Sequence, residues 1–180
     1  MYTDCPTISY KRGGLLTTPE GCLALACLRR LIDPSDTLAS AEIHCLTTCE
    51  NPETWIAERI HYRENTDHPL YQWLEQDGSH PVAALAQQRS RLPYLTPLEI
   101  LHLAIQAGDV RKTVFRWGPD RQRARHRLNN LSALLQHARD YMDQCEATKR
   151  RLYERGRNSL ATTVTPTIVC HRILVVLRIS

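Results

Sequence analysis

Apolar residues recur along this chain at helical spacing, and polar punctuation divides them into segments. Thr18-Pro19-Glu20 reads as a helix start: a hydroxyl to accept a free backbone N–H, a proline at the first helical position, and an acid near the positive end of the dipole. Leu23, Leu25, Ala26, Cys27, Leu28 and Leu31 follow, apolar round much of the circumference, and predict a buried helix to about Ile32. Asp33-Pro34-Ser35-Asp36 breaks it and caps the next, which carries Leu38, Ala39, Ala41, Ile43 and Leu46. Asn51-Pro52-Glu53 repeats the start signal, with Trp55, Ile56 and Ile60 as an apolar edge. A loop is expected over 64–69, then a short helix from Pro69 to Leu74 anchored by Tyr71, Trp73 and Leu74. Asp77-Gly-Ser-His-Pro81 punctuates again, before a helix from Pro81 to about Arg91. Thr96-Pro97-Leu98-Glu99 starts a further helix to Ala107, with Gly108 in the position of a C-terminal cap.

The clearest pattern runs from Gln122 to about Leu152. Ala124, Leu128, Leu131, Leu135, Ala138, Met142 and Cys145 alternate spacings of four and three, and Leu134 and Tyr141 widen the seam. Such a helix packs into its own core or pairs with a partner as a coiled coil, and so short a run of heptads favours the core. Strand character appears only near the end, in 162–169 and in Ile173 to Ile179, and Pro166 argues against one continuous central strand. The expectation is an all-α fold: a multi-helix domain over 1–160 and a short β-prone tail over 161–180.

At 180 residues, with 42% hydrophobic and 23% charged positions, the chain is long and apolar enough to build one globular core. No stretch approaches the roughly 20 apolar residues of a membrane span. The most apolar run, Ile173 to Leu177, is short and lies between Arg172 and Arg178. The first residues, Met1 to Pro6, lack the basic and apolar regions of a secretion signal, so a cytoplasmic location is expected. Seven cysteines (Cys5, Cys22, Cys27, Cys45, Cys49, Cys145 and Cys170) are odd in number and form no repeated framework, which favours reduced thiols over disulfides.

The net charge of +4 conceals a polarised distribution. From Asp33 to Asp77, ten acids stand against Arg59 and Arg63, a balance of −8. From Arg111 to Arg127, seven bases stand against Asp120, a balance of +6. One face is therefore suited to a polyanion. Within it, Arg116, Trp117, Arg121, Arg123, Arg125 and Arg127 are the candidate nucleic-acid-binding residues. Arginine grips phosphate bidentately and an aromatic ring stacks on a base, although a solvated helix face has a similar composition. A second run, Lys149 to Arg157, sits where a helix C-terminus favours positive charge in any case.

Covalent chemistry is poorly provided for. The only glycine pair, Gly13-Gly14, is not followed by the Lys-Ser/Thr of a phosphate loop, and neither a Gly-x-Ser-x-Gly elbow nor a His-Glu-x-x-His pair occurs. His44, Cys45 and Cys49 lack the second ligand pair of a structural zinc site, so buried thiols are the better reading. Glu53, Glu58, Asp67 and Glu75 have no spacing that brings two carboxylates into one cleft. No catalytic and no metal residue is expected.

Two stretches carry a family resemblance. Leu15, Pro19, Glu20, Leu25, Leu28, Arg29, Leu31, Asp33, Pro34 and Asp36 form one, and Trp117-Gly118 with Arg127-Leu-Asn-Asn-Leu-Ser-Ala-Leu134 the other. In order and separation they resemble the accessory (2B) domain of UvrD/RecB-type superfamily 1 DNA helicases, over residues 8–150. The resemblance implies a helical domain that pivots against motor domains, touches DNA, and mediates autoinhibition or partner contacts. The implied partners are DNA, bound weakly and in a salt-dependent way, and the helicase motor domains or another protein, with no membrane. ATP and Mg belong to the motor domains of full-length family members, so no cofactor is implied for this chain. The tail keeps His171 but lacks the family's Lys-Gly-Leu-Glu core, which implies no ATPase activity of its own. The alternative is an interaction module that pairs through the seam over 124–145.

Overall fold

The structure, a computed structural model, describes residues 14–48, 51–76 and 78–155. Among these residues the fold is all-α, without a strand: α1 (Pro19–Ile32), α2 (Thr37–Thr48), α3 (Pro52–Asn65), α4 (Pro81–Gln88), α5 (Pro97–Ala107), α6 (Val110–Arg116) and α7 (Arg121–Arg155). Single 3-10 turns over Leu15–Thr17 and Leu70–Gln72 and a longer one over Arg89–Tyr94 complete it. The β-prone tail over 161–180 lies outside the described residues, as do Cys5, Cys49 and Cys170. Among the described residues no helix is long and apolar enough to cross a membrane.

The expected caps form. Thr18 Oγ1 accepts from Gly21 N at 3.2 Å, Asn51 Oδ1 from Glu53 N at 3.2 Å, and Asp36 Oδ1 from Ala39 N at 2.9 Å. Thr96 and Glu99 make a reciprocal capping box at the start of α5. Other boundaries shift. α3 continues to Asn65, so the loop expected from Glu64 begins only at Thr66. The helix expected to reach Arg91 is α-helical only to Gln88 and then tightens into the 3-10 turn containing Pro93. In an α-helix the Pro93 ring would meet the carbonyl four residues earlier. Of the three expected anchors Tyr71, Trp73 and Leu74, Trp73 is buried, Leu74 is half-buried against the core while turning the chain with φ 67°, and Tyr71 is exposed. Ile56 and Ile60, expected as an apolar edge, face outward at 46% and 52% exposure. α6 is a helix that the apolar spacing does not announce.

α1 is the hub. It packs against α2, α4, α5, α6 and α7, and none of its residues is exposed. Leu23, Leu28 and Leu31 meet a core that includes Ile43, Leu85, Leu101, Leu131 and Leu134. Gly108 lets the α5–α6 turn approach α1. A Cβ there would collide with Cys27 Sγ and come within 2.8 Å of Ala104 O. Close packing has no room for the extra carbon.

A helix this deeply buried must also satisfy its polar side chains. Arg30 is 0% exposed, and all five of its N–H groups find acceptors. Nε donates to Ser40 Oγ at 2.7 Å, one terminal nitrogen to the carbonyls of Asp33 and Pro34, and the other to the Tyr71 carbonyl and the Glu75 carboxylate. Arg89 joins from the far side, 2.8 Å from Glu75. Burial lowers the proton affinity of the Arg30 guanidinium, the like charge of Arg89 adds to that, and Glu75 opposes both. This cluster ties the segment around Leu70–Gln72 to the α1–α2 corner.

Two further polar links fix the outer helices. Glu20 of α1 accepts from Asn130 Nδ2 of α7 at 2.6 Å. His80 caps α4 by accepting the Val82 N–H at Nδ1, 3.2 Å away. That leaves Nε2 of His80 as the donor toward His44 Nδ1, also at 3.2 Å. His44 packs in turn beside Trp73, with ring centroids 5.8 Å apart.

Candidate nucleic-acid interface

The six candidate residues lie on α6, on the turn after it, and on the first two turns of α7. Asp120 starts α7: its Oδ1 accepts from Gln122 N at 2.8 Å and from Arg123 N at 3.3 Å. From there the helix advances by about 100° per residue, so side chains four apart share a face. Arg121 and Arg125 therefore share one face, and Arg123 and Arg127 another. Between the two faces runs the buried stripe of Ala124, Leu131, Leu134 and Ala138 that packs into the core. The four alternating arginines do not form one row; they divide to either side of the contact between α7 and the body of the domain.

Their surroundings differ as well. Arg116, Arg121 and Arg125 are exposed, and among the described residues no acidic group lies within ion-pair distance of them. Arg123 is 3.4 Å from Asp120, with both side chains at least half exposed. Arg127 is only half exposed, and its guanidinium lies 5.3 Å from the centre of the Trp117 ring. Trp117 is itself held inward: its Nε1–H donates to the Leu46 carbonyl at the end of α2, at 2.7 Å. The structure thus brings Arg127 and Trp117 together as a pin joining α2 to α7. One face of the ring that was a candidate for base stacking carries Arg127.

Three residues outside the expected set belong to the same surface. On α6, Val110, Thr113 and Val114 are buried, and Arg111, Lys112, Phe115 and Arg116 are exposed on the opposite side. Phe115 is 57% exposed although it is the only phenylalanine of the chain. Lys112 Nζ lies 3.0 Å from Asp109, which sets the start of α6 in a left-handed conformation (φ 52°). Beside them an open depression of about 400 Å³ is lined by His102, Ile105, Gln106, Asp109 and Arg111.

The chain matches no protein-family model, no curated protein and no solved structure.

Glu58, Glu75, Cys27 and His44 are drawn into the packing of the domain. Glu75 is bound to Arg30 and Arg89, and Glu58 lies 3.5 Å from His44 Nε2. Burial pushes the Cys27 thiol far above its ordinary value, which leaves it protonated and a poor nucleophile. His44 faces His80 across a hydrogen bond, and among the described residues no group of three His, Cys, Asp or Glu is arranged to hold a metal ion.

Proposed function

We propose that this chain is a helical accessory domain that contacts DNA weakly and electrostatically, beside the motor domains of a UvrD/RecB-like helicase and without an ATPase of its own. The observation that carries the reading is the exposed surface of α6 and early α7, where Arg111, Arg116, Arg121 and Arg125 have no acidic partner among the described residues. Such uncompensated charge repels itself in the free protein and is relieved by a polyanion. The resemblance of the 15–36 and 117–134 stretches to the accessory domains of that family adds support. Contact with about four phosphates makes affinity fall roughly a hundredfold between 50 and 200 mM salt.

Fluorescence anisotropy with a labelled forked DNA at those two salt concentrations tests the proposal. Binding at low salt that weakens on this scale, and that Arg121→Ala with Arg125→Ala reduces, supports it. No binding at 50 mM salt, by protein whose circular dichroism is helical, refutes the DNA contact.

Docking on a motor domain or another protein is favoured by a separate surface. Leu38, Ile56 and Ile60 on α2 and α3 are 56%, 46% and 52% exposed. Pairing through the α7 seam has less to offer, because Ala124, Leu131, Leu134 and Ala138 are already in this domain's own core, and only Tyr141, Met142 and Cys145 continue it half-exposed.

A further inference from the structure

The aromatic group available to a nucleic acid is on α6. With Trp117 hydrogen-bonded to Leu46 and faced by Arg127, its ring is part of the domain's own packing. Phe115, two residues earlier, is 57% exposed. A helix of seven residues has one buried side, and Val110, Thr113 and Val114 supply it. By the helical repeat, Phe115 projects from the opposite side, about 40° from Arg111 and about 60° from Lys112, with Arg116 next beyond Lys112. A large apolar ring is thus set among three exposed cations, Arg111, Lys112 and Arg116. Lys112 is paired with Asp109 at 3.0 Å, and among the described residues Arg111 and Arg116 form no ion pair.

A duplex offers phosphates to cations but keeps the faces of its bases stacked inside. An unpaired strand offers both phosphates and base faces, and aromatic rings among cations are the general means of holding one. We propose that Phe115 stacks on an unpaired base of single-stranded DNA while Arg111, Lys112 and Arg116 hold the neighbouring phosphates. This deepens the DNA-contact reading and rests on it: it turns the surface from a general polyanion site into one that prefers unpaired strand. The ring is tolerant of base identity, since every base has a face to stack on.

The test compares a labelled oligothymidine with a blunt duplex of the same length at 50 mM salt. Phe115→Ala is expected to weaken single-strand binding about 5- to 150-fold, the loss that removing one stacked base brings, and to leave duplex binding within about twofold. Phe115→Leu keeps apolar bulk without an aromatic face and is expected to behave like the alanine variant; Phe115→Tyr is expected to bind like the parent. Unchanged single-strand binding by Phe115→Ala overturns the proposal, and so does an equal loss on strand and duplex. If Arg121→Ala with Arg125→Ala weakens duplex binding while Phe115→Ala changes nothing, the DNA contact stands and the stacking falls. If the parent protein binds neither DNA, both fall together.

Discussion

Replacing Arg30 by methionine tests the account of the core most directly. Methionine keeps an unbranched apolar stem but ends short of the guanidinium, and it removes five donors from a fully buried position. The carbonyls of Pro34 and Tyr71 and the hydroxyl of Ser40 then lose their charged donor, and Glu75 keeps only Arg89, at 2.8 Å. Removing one partner of a buried ion pair costs about 3–5 kcal/mol. A chain of this size gains or loses roughly 2–4 °C of melting temperature per kcal/mol, so the variant should melt about 6–20 °C lower. Urea unfolding followed by tryptophan fluorescence is the suitable assay. Trp73 is buried in the segment that Arg30 holds, and its ring lies 6.3 Å from that of Trp55. Arg30→Lys should recover little, because an ammonium has three donors and no planar fork. Arg30→Met with Glu75→Leu should recover part of the loss, since the stranded carboxylate is gone. A stability within about 1 kcal/mol of the parent for Arg30→Met would refute the view that this guanidinium organises the corner.

Other consequences are open to measurement. Gly108→Ala places a methyl group against Cys27 Sγ while the backbone, at φ −73°, is one alanine adopts freely; a loss of about 1–3 kcal/mol is expected, partly restored by Cys27→Ala in the same chain, and a neutral effect would show that the approach of α5 to α1 is slack. At acid pH, the Thr96 hydroxyl and then the Thr96 N–H hold the Glu99 carboxyl below its ordinary value, and the Ser35 hydroxyl and N–H do the same for Asp33. Both groups are depressed on folding, so their contribution is full above the ordinary values of 4.5 and 3.8 and is lost as pH falls through the lower, folded ones. An NMR titration of Glu99 should give a midpoint below 4.5 that rises in Thr96→Val, and an unmoved midpoint would argue against the capping box in solution.

The parts legible in the sequence are those whose cause is local. Thr18, Asn51 and Thr96 cap the helices they precede because a hydroxyl or amide before proline and an acid satisfies backbone N–H groups within a few residues. The α7 seam is legible because the repeat is long. Seven residues from Val110 to Arg116 are too few to show a period, and their bases read as a charge cluster rather than as a helix with a buried side. Arg30 is indistinguishable in sequence from its neighbour Arg29, which lies at the surface and pairs with Asp36 and Glu42. What separates them is where Tyr71 and Glu75 come to rest, more than forty positions later. The same holds at the candidate interface. The positive charge of the region is a property of composition, but the withdrawal of Trp117 depends on Leu46, 71 residues away, and the exposure of Phe115 depends on which side of α6 meets the core.

The burial of most of α1 has a bearing on how this sequence can drift. Nine of its fourteen positions are buried, and the helix packs against five others, so a change at most of them needs a second change elsewhere to accommodate it. α3, with Glu53, Thr54, Ile56, Ala57, Glu58 and Ile60 all exposed, is free to vary a residue at a time. Divergent copies of this domain would therefore be recognised by α1 and its paired contacts long after the peripheral helices had ceased to align.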